Sequence, residues 1–177
     1  SDTVSPQGAI MASTTFQHLD AAKQQRVLAA LITEFSQYPL AQAQVARIVK
    51  QADIARGAFY KYFTDLDDAY RYAFGRVIGR LHAGITGPTM RQDPYTATAD
   101  FLHEASESRD RDFIRLHFTK NSGLVNVARP QVPADATDWA VASLCHSAIS
   151  EVLADPADAT LILAHLKAAL SQLQVKE

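Results

Sequence analysis

Gln44 to Phe63 reads QVARIVKQADIARGAFYKYF, and the spacing within it decides the fold. Val45, Ile48 and Val49 recur at helical spacing with Arg47 and Lys50 on the other side, so a short helix is expected over about residues 44–51. Ala52-Asp53-Ile54 breaks that pattern as a turn: Asp tolerates a left-handed backbone better than most residues, and Ile54 supplies a plug between two helices. A second short helix follows over about 55–62. It is too short to hold itself in water, so Phe59, Tyr62 and Phe63 must anchor it against its neighbours. Two short helices across a tight turn, the second fixed from behind, make a helix-turn-helix.

Upstream, Asp20 caps a helix that reaches about Gln37, with Val27, Leu28, Leu31, Ile32 and Phe35 on one face and Tyr38-Pro39 as its stop. Residues 1–15 read as a disordered arm or as residue left by cloning, because the first ten are polar and Met11 would be a sensible native start. Downstream, Asp65 caps a connector helix over 65–82, with Asp67 and Asp68 in its first turn and Arg76 and Arg80 towards its far end, each on the side the helix dipole favours. Gly84 to Pro94 is a loop. Further helices are expected over about 95–107, 110–121 and 135–154, and a last one after Asp155-Pro156 ends near Gln174. Gly123, Pro130 and Pro133 mark residues 122–133 as loop. No alternating apolar and polar run of useful length exists, so the fold class is all-α: a three-helix head over 16–64 and a helical body over 65–177 that begins with the connector.

Composition narrows the classes of function. The chain is 47% hydrophobic and 20% charged over 177 residues, enough apolar content to bury a core without staples. Its single cysteine, Cys145, excludes an intramolecular disulfide, and in WAVASLCHSAI it reads as a small buried hydrophobe. No apolar run approaches a membrane span and no secretory signal is recognisable, so the expected location is the cytoplasm. The net charge of −2 argues against a protein that coats nucleic acid indiscriminately. It divides unevenly: residues 1–64 hold six basic and four acidic side chains, whereas the remainder holds eleven and fifteen. Such a division suits a small phosphate-facing head on an acidic body.

Enzymatic readings find little support. His103 and Glu107 stand four apart, but HEASE is not HExxH, and a solvated helix face accounts for the pair. His117 and His146 lie in apolar helices as core or pocket histidines, and no nucleophile paired to a base, Gly-rich phosphate loop or carboxylate pair accompanies them. No catalytic residue, metal or cofactor is assigned.

Val27 to Ala69 resembles the N-terminal domain of the tetracycline-repressor (TetR) family of bacterial transcription regulators, about a quarter of the chain. RVLAALITEF corresponds to the first helix, VARIVKQADI to the second helix and turn, and ARGAFYKYF to the third, with its Gly57, Phe59-Tyr60 and Tyr62-Phe63 string. Asp53 stands where the family has a turn glycine, Ala55 and Gln44 where it has capping hydroxyls, and Leu66 where a basic residue opens the connector. Such losses weaken a DNA grip. The resemblance implies a homodimeric, ligand-responsive regulator, usually a repressor, that binds a palindromic operator and is released by a small apolar or amphipathic molecule. The alternative is a helical dimeric interaction protein whose head no longer binds a specific operator.

In the first reading Ala55, Arg56, Ala58, Phe59, Tyr60 and Lys61 lie on or near the major groove, with Arg56 reading a guanine edge, Tyr60 and Lys61 on phosphate, and Gln44 and Arg47 clamping the backbone. A ligand pocket between the connector and the next helices would be lined by Tyr72, Phe101, Phe113, His117, Phe118, Trp139 and His146. The last two helices are apolar over arcs too wide for one packed face. They are expected to form a two-fold four-helix interface through Val141, Leu144, Ala148, Val152, Ile162, Leu166, Leu170 and Leu173.

Overall fold

A computed structural model describes residues 12–124 and 135–174, and these are helical throughout, with no strand among them. Most of the arm expected over 1–15, and the loop expected over 122–133 beyond Leu124, lie outside the described residues. The arm nonetheless ends sooner than the sequence suggests. Ser13 caps a four-residue helix, α1 (Thr14–Gln17), by accepting from Phe16 N, while Ala12 and Phe16 are buried in the head. A single turn with one aromatic residue has too little periodicity to be recognised in sequence.

The head continues with α2 (Ala21–Gln37), α3 (Val45–Ala52) and α4 (Arg56–Tyr62). Asp20 Oδ1 accepts from Lys23 N at 2.8 Å to start α2, and the extended Tyr38 before Pro39 ends it. Between α3 and α4, Asp53 takes φ 51°, the one positive φ among the described residues, so the turn keeps the left-handed geometry in which glycine would be easiest. Asp65 accepts from Asp68 N at 2.8 Å and starts α5 (Leu66–Gly84), the connector.

The body holds α6 (Pro94–Glu107), capped by Asp93, and α7 (Arg111–Leu116), which runs into a π-helical turn over His117–Asn121. In that turn Ser122 N bonds the His117 carbonyl five residues back at 2.8 Å. A 3.6-residue reading cannot anticipate the extra residue, which turns His117 and Asn121 into the interior together. Asp135 caps α8 (Ala136–Ala154), and α9 (Ala159–Gln174) returns alongside it after a tight turn at Pro156–Asp158.

One buried apolar cluster runs through head, connector and body without a break at residue 64. Phe35 of α2 meets Tyr70 of α5 at 4.9 Å between ring centroids and Phe113 of α7 at 6.3 Å, both edge-on. A smaller cluster, Cys145, Ala148, Leu166 and Leu170, joins α8 to α9 over Tyr95 of α6. Cys145 is buried there with its thiol near the Pro94 carbonyl, and burial pushes that thiol up, so it serves as packing.

Candidate functional site

The surface of α4 is built by what lies behind it. Phe59 and Tyr62 are buried, and Phe16, Phe59, Tyr62, Phe63 and Tyr72 pack edge-on or tilted with centroids 5.2–5.7 Å apart. Ser13 holds the far end of the helix: its N–H donates to the Tyr62 carbonyl at 3.1 Å and its hydroxyl to the Lys61 carbonyl at 2.6 Å. Two of the carbonyls that a helix end leaves open are thereby satisfied.

Turned outward on this wedge are Ala55, Arg56, Gly57, Tyr60 and Lys61, with Tyr60 50% exposed and Arg56 reaching towards its hydroxyl at 3.5 Å. Ala58 is half-buried against the core. A Cβ at Gly57 would meet nothing within 4 Å, so no contact inside the chain requires a glycine there.

Two residues expected at this surface are placed elsewhere. Phe59 is fully buried, because the wedge needs it as its central ring. Arg47 is committed to its own domain: it meets buried Glu34 at 2.6 Å, donates to the Gln42 carbonyl at 2.9 Å and lies 3.8 Å over the Tyr38 ring. The hydrogen bond to Glu34 raises its pKa and holds it charged. Glu34 also accepts from Gln44 N at 2.7 Å, which supplies from α2 part of the capping that Gln44 does not provide with its own side chain. Gln44 and Lys50 remain exposed on α3.

In the body, Phe101, His117, Phe118 and His146 come together: Phe118 lies 5.6 Å from Phe101, 5.1 Å from His117 and 5.5 Å from His146. Phe74 of the connector, 4.1 Å from His117, belongs to the same cluster, as does His82 at 6.4 Å from Phe101. Sequence reasoning passed over Phe74, although it follows Tyr70 by one helical turn. Tyr72 faces the head wedge instead, Phe113 is sealed against Tyr70 at 5.3 Å, and Trp139 is 55% exposed on the outside of α8.

A buried polar chain leaves this cluster. His117 Nδ1 lies 2.9 Å from the Tyr70 hydroxyl, Asn121 Nδ2 donates to that hydroxyl at 3.3 Å, and Leu40 N in the head donates to Asn121 Oδ1 at 3.0 Å. Burial, with a smaller contribution from nearby His146, lowers the His117 pKa to about 4, and burial raises the Tyr70 phenol well above its ordinary value. Both are therefore neutral at pH 7. A separate polar cleft of 140 Å³ lies at the far end of the connector, where Arg80 pairs with Asp110 at 2.6 Å beside Glu104 and Glu107. Among the described residues no group of three or more His, Cys, Asp or Glu side chains could hold a metal, and no helix is long and apolar enough to cross a membrane.

The residues expected at an interface on α8 and α9 largely pack within the chain. Ala148, Val152, Leu166 and Leu170 are buried and Val141, Leu144, Ile162 and Leu173 are half-buried, most of them packed on the chain's own clusters. The body uses this arc to close its core. Left exposed on the opposite arcs are Trp139, Ala142, Ser143 and His146 of α8, and Leu161, Ala164, His165 and Ala168 of α9, with Leu161 at 56% exposure.

Residues 27–68 match the family model for bacterial regulatory proteins, tetR family. Two solved structures share the fold over nearly their whole lengths. A TetR family transcriptional regulator from Chloroflexus aurantiacus J-10-FL is 18% identical, with 92% of this chain and 96% of that one covered and a TM-score of 0.53. The multidrug binding protein EbrR, complexed with imidazole, is 19% identical, with 96% and 97% covered and a TM-score of 0.59. No curated protein matches the chain.

Proposed function

Because the N-terminal unit of this chain is a tetR-family helix-turn-helix domain, we propose that the protein is a ligand-responsive transcriptional repressor that binds a palindromic operator as a homodimer in the cytoplasm. The observation that carries this reading is the outward face of α4, where Arg56, Gly57, Tyr60 and Lys61 are exposed on a helix fixed from behind by buried rings. Arg56 has the fork geometry for a guanine edge, Ala55 suits a thymine methyl, and the exposed Tyr60, Lys61 and Gln44 would contact phosphate. Arg47 helps only indirectly, by fixing α3 through Glu34.

Two heads would enter successive major grooves about 34 Å apart. The pairing surface would be the exposed arc of Trp139 and Ala142 with Leu161, Ala164 and Ala168, where the three alanines permit close helix approach. Ala164→Glu should leave a folded monomer, to be read by sedimentation. For the body over 65–177, the aromatic and histidine cluster around Phe118 is the proposed ligand site, and the protein of similar fold solved with imidazole supports a small ring as occupant. Its occupant would act on the head through Tyr70, Asn121 and Leu40, which tie connector, body and head in one buried chain. Shifting the dimer to a state that does not bind DNA requires a differential affinity of a few kcal/mol.

Selection of bound DNA from a random pool tests the reading. Palindromic sites are expected, with affinity falling steeply as salt rises. Failure to enrich any sequence at low salt would favour the second reading, a dimeric interaction protein, for which the commitment of Arg47 to Glu34 and the place of Leu66 at the connector's start speak.

A further inference from the structure

The buried polar chain in the body has a direction, and that direction fixes the state of His117. A backbone N–H only donates, so Leu40 N places the oxygen of the Asn121 amide towards the head. The amide nitrogen therefore faces Tyr70 and donates to its oxygen. Tyr70 is fully buried, and its own proton has one acceptor within reach, His117 Nδ1 at 2.9 Å. A neutral imidazole that accepts on Nδ1 carries its proton on Nε2.

That Nε2–H has no protein partner among the described residues, the one hydrogen bond of the ring being on Nδ1, and since no buried side-chain nitrogen is left unpartnered among them it keeps an edge open to solvent although the residue is only 6% exposed. Around the ring stand Phe74 at 4.1 Å and Phe118 at 5.1 Å, with Phe101 and His146 on the far side of Phe118. The site thus offers, at His117, a hydrogen-bond donor of fixed tautomer among ring faces. His117, being neutral, brings no charge of its own that would compensate a buried ionic ligand.

We infer that His117 Nε2–H is the selecting contact of the body site, and that its ligand class is uncharged, ring-bearing molecules with one hydrogen-bond acceptor, such as an aryl ketone. This rests on the reading of the Phe118 cluster as the ligand site, and it adds the atom that chooses among apolar compounds. The acceptor satisfies the donor that the folded chain leaves open. A hydrocarbon of equal shape shuts the donor off from water and gives it no partner, which buried sites penalise.

The test uses the full chain with ¹⁵N-labelled histidine at neutral pH and a matched pair of probes, acetophenone and isopropylbenzene. The His117 resonances should show a protonated Nε2 and a bare Nδ1, and Tyr70→Phe should abolish that single-tautomer signature. Acetophenone should bind roughly ten-fold more tightly than isopropylbenzene, the order of one neutral hydrogen bond, and should shift His117 Nε2. His117→Phe should bring the two affinities together. If that variant fails to fold, the wild-type pair decides alone.

A proton found on Nδ1, equal affinities for the two probes, or no binding of either overturns the inference. Selection of an operator by the same protein would show that the regulator reading stands without it. Shifts at Phe74 and Phe118 with none at Nε2 would likewise sink the selecting contact while leaving the cluster as a site.

Discussion

The head and the body each contain a knot of aromatic rings, and the two are built for different ends. Behind α4, Phe16, Phe59, Tyr62 and Phe63 are at most 4% exposed and meet mainly one another and Tyr72, so the knot is closed and apolar. Around Phe118, Phe101 and His117 are buried but Phe74 and Phe118 itself are half-buried and His82 and His146 exposed, and a polar chain ends among them. A closed knot holds a surface still for something outside to read. An open one with a polar end is where a small molecule is itself read. Rings alone do not separate scaffold from site; the polar atoms beside them do.

Truncating one ring in each knot breaks the comparison most sharply. Phe59→Ala removes the central, fully buried ring of the wedge and should cost roughly 3–5 kcal/mol of stability, taking DNA binding with it. Phe118→Ala, at a half-buried position, should cost clearly less and leave a folded protein with altered ligand response. Chemical denaturation of the two variants measures both. Equal losses would mean that the body knot is as much core as the head knot.

Acid should find the body before the wedge. The folded pKa of His117, about 4, lies below the ordinary 6.5, so between these values the unfolded chain takes up a proton that the folded chain refuses. Stability is then full above about pH 6.5 and falls as pH drops towards 4, by roughly 3 kcal/mol in all from this residue. His117→Gln, which keeps an acceptor for Tyr70 but does not titrate, should flatten that slope. Denaturation midpoints from pH 7 to pH 4 would show it.

Next in size is the device that replaces a missing cap. Glu34→Gln keeps the shape but removes the charge that draws in Gln44 N and Arg47, and hydrogen bonds to charged groups contribute roughly 1.5–3 kcal/mol. Stability should fall by no more than that, and operator affinity should fall further as α3 loosens. An unchanged operator affinity would mean that α3 does not help to position the interface.

How much of this was legible follows from the range of the interactions. The helix-turn-helix could be read because its signals are local: Val45, Ile48 and Val49 at helical spacing, a turn at Asp53, and rings in sequence from Phe59 to Phe63. The structure also has the expected caps at Asp20 and Asp65. Arg47 looked like a free cation because its partner, Glu34, sits on another helix. The inward and outward arcs of α8 and α9 could not be told apart, since both are apolar and the positions of α6, α7 and the π-turn decide which is covered. Asn121 showed no sign of its role, which depends on a π-turn and on a backbone N–H at Leu40, far away in sequence.

The smallest effect separates fold from function on α4 itself. Gly57 is helical and exposed, and a Cβ added there meets nothing within the chain, so Gly57→Ala should stabilise the head by roughly 0.5–1 kcal/mol through the helix preference for alanine. If the glycine is kept so that α4 can lie close to DNA, the same change should weaken operator binding while the melting temperature rises. A rise in both would make Gly57 an accident of sequence and move the closest approach of DNA to Arg56 and Tyr60. Thermal denaturation and a salt titration of operator binding on the one variant distinguish the two outcomes, because a lost close approach lowers affinity at every salt concentration without changing the slope set by the phosphate contacts.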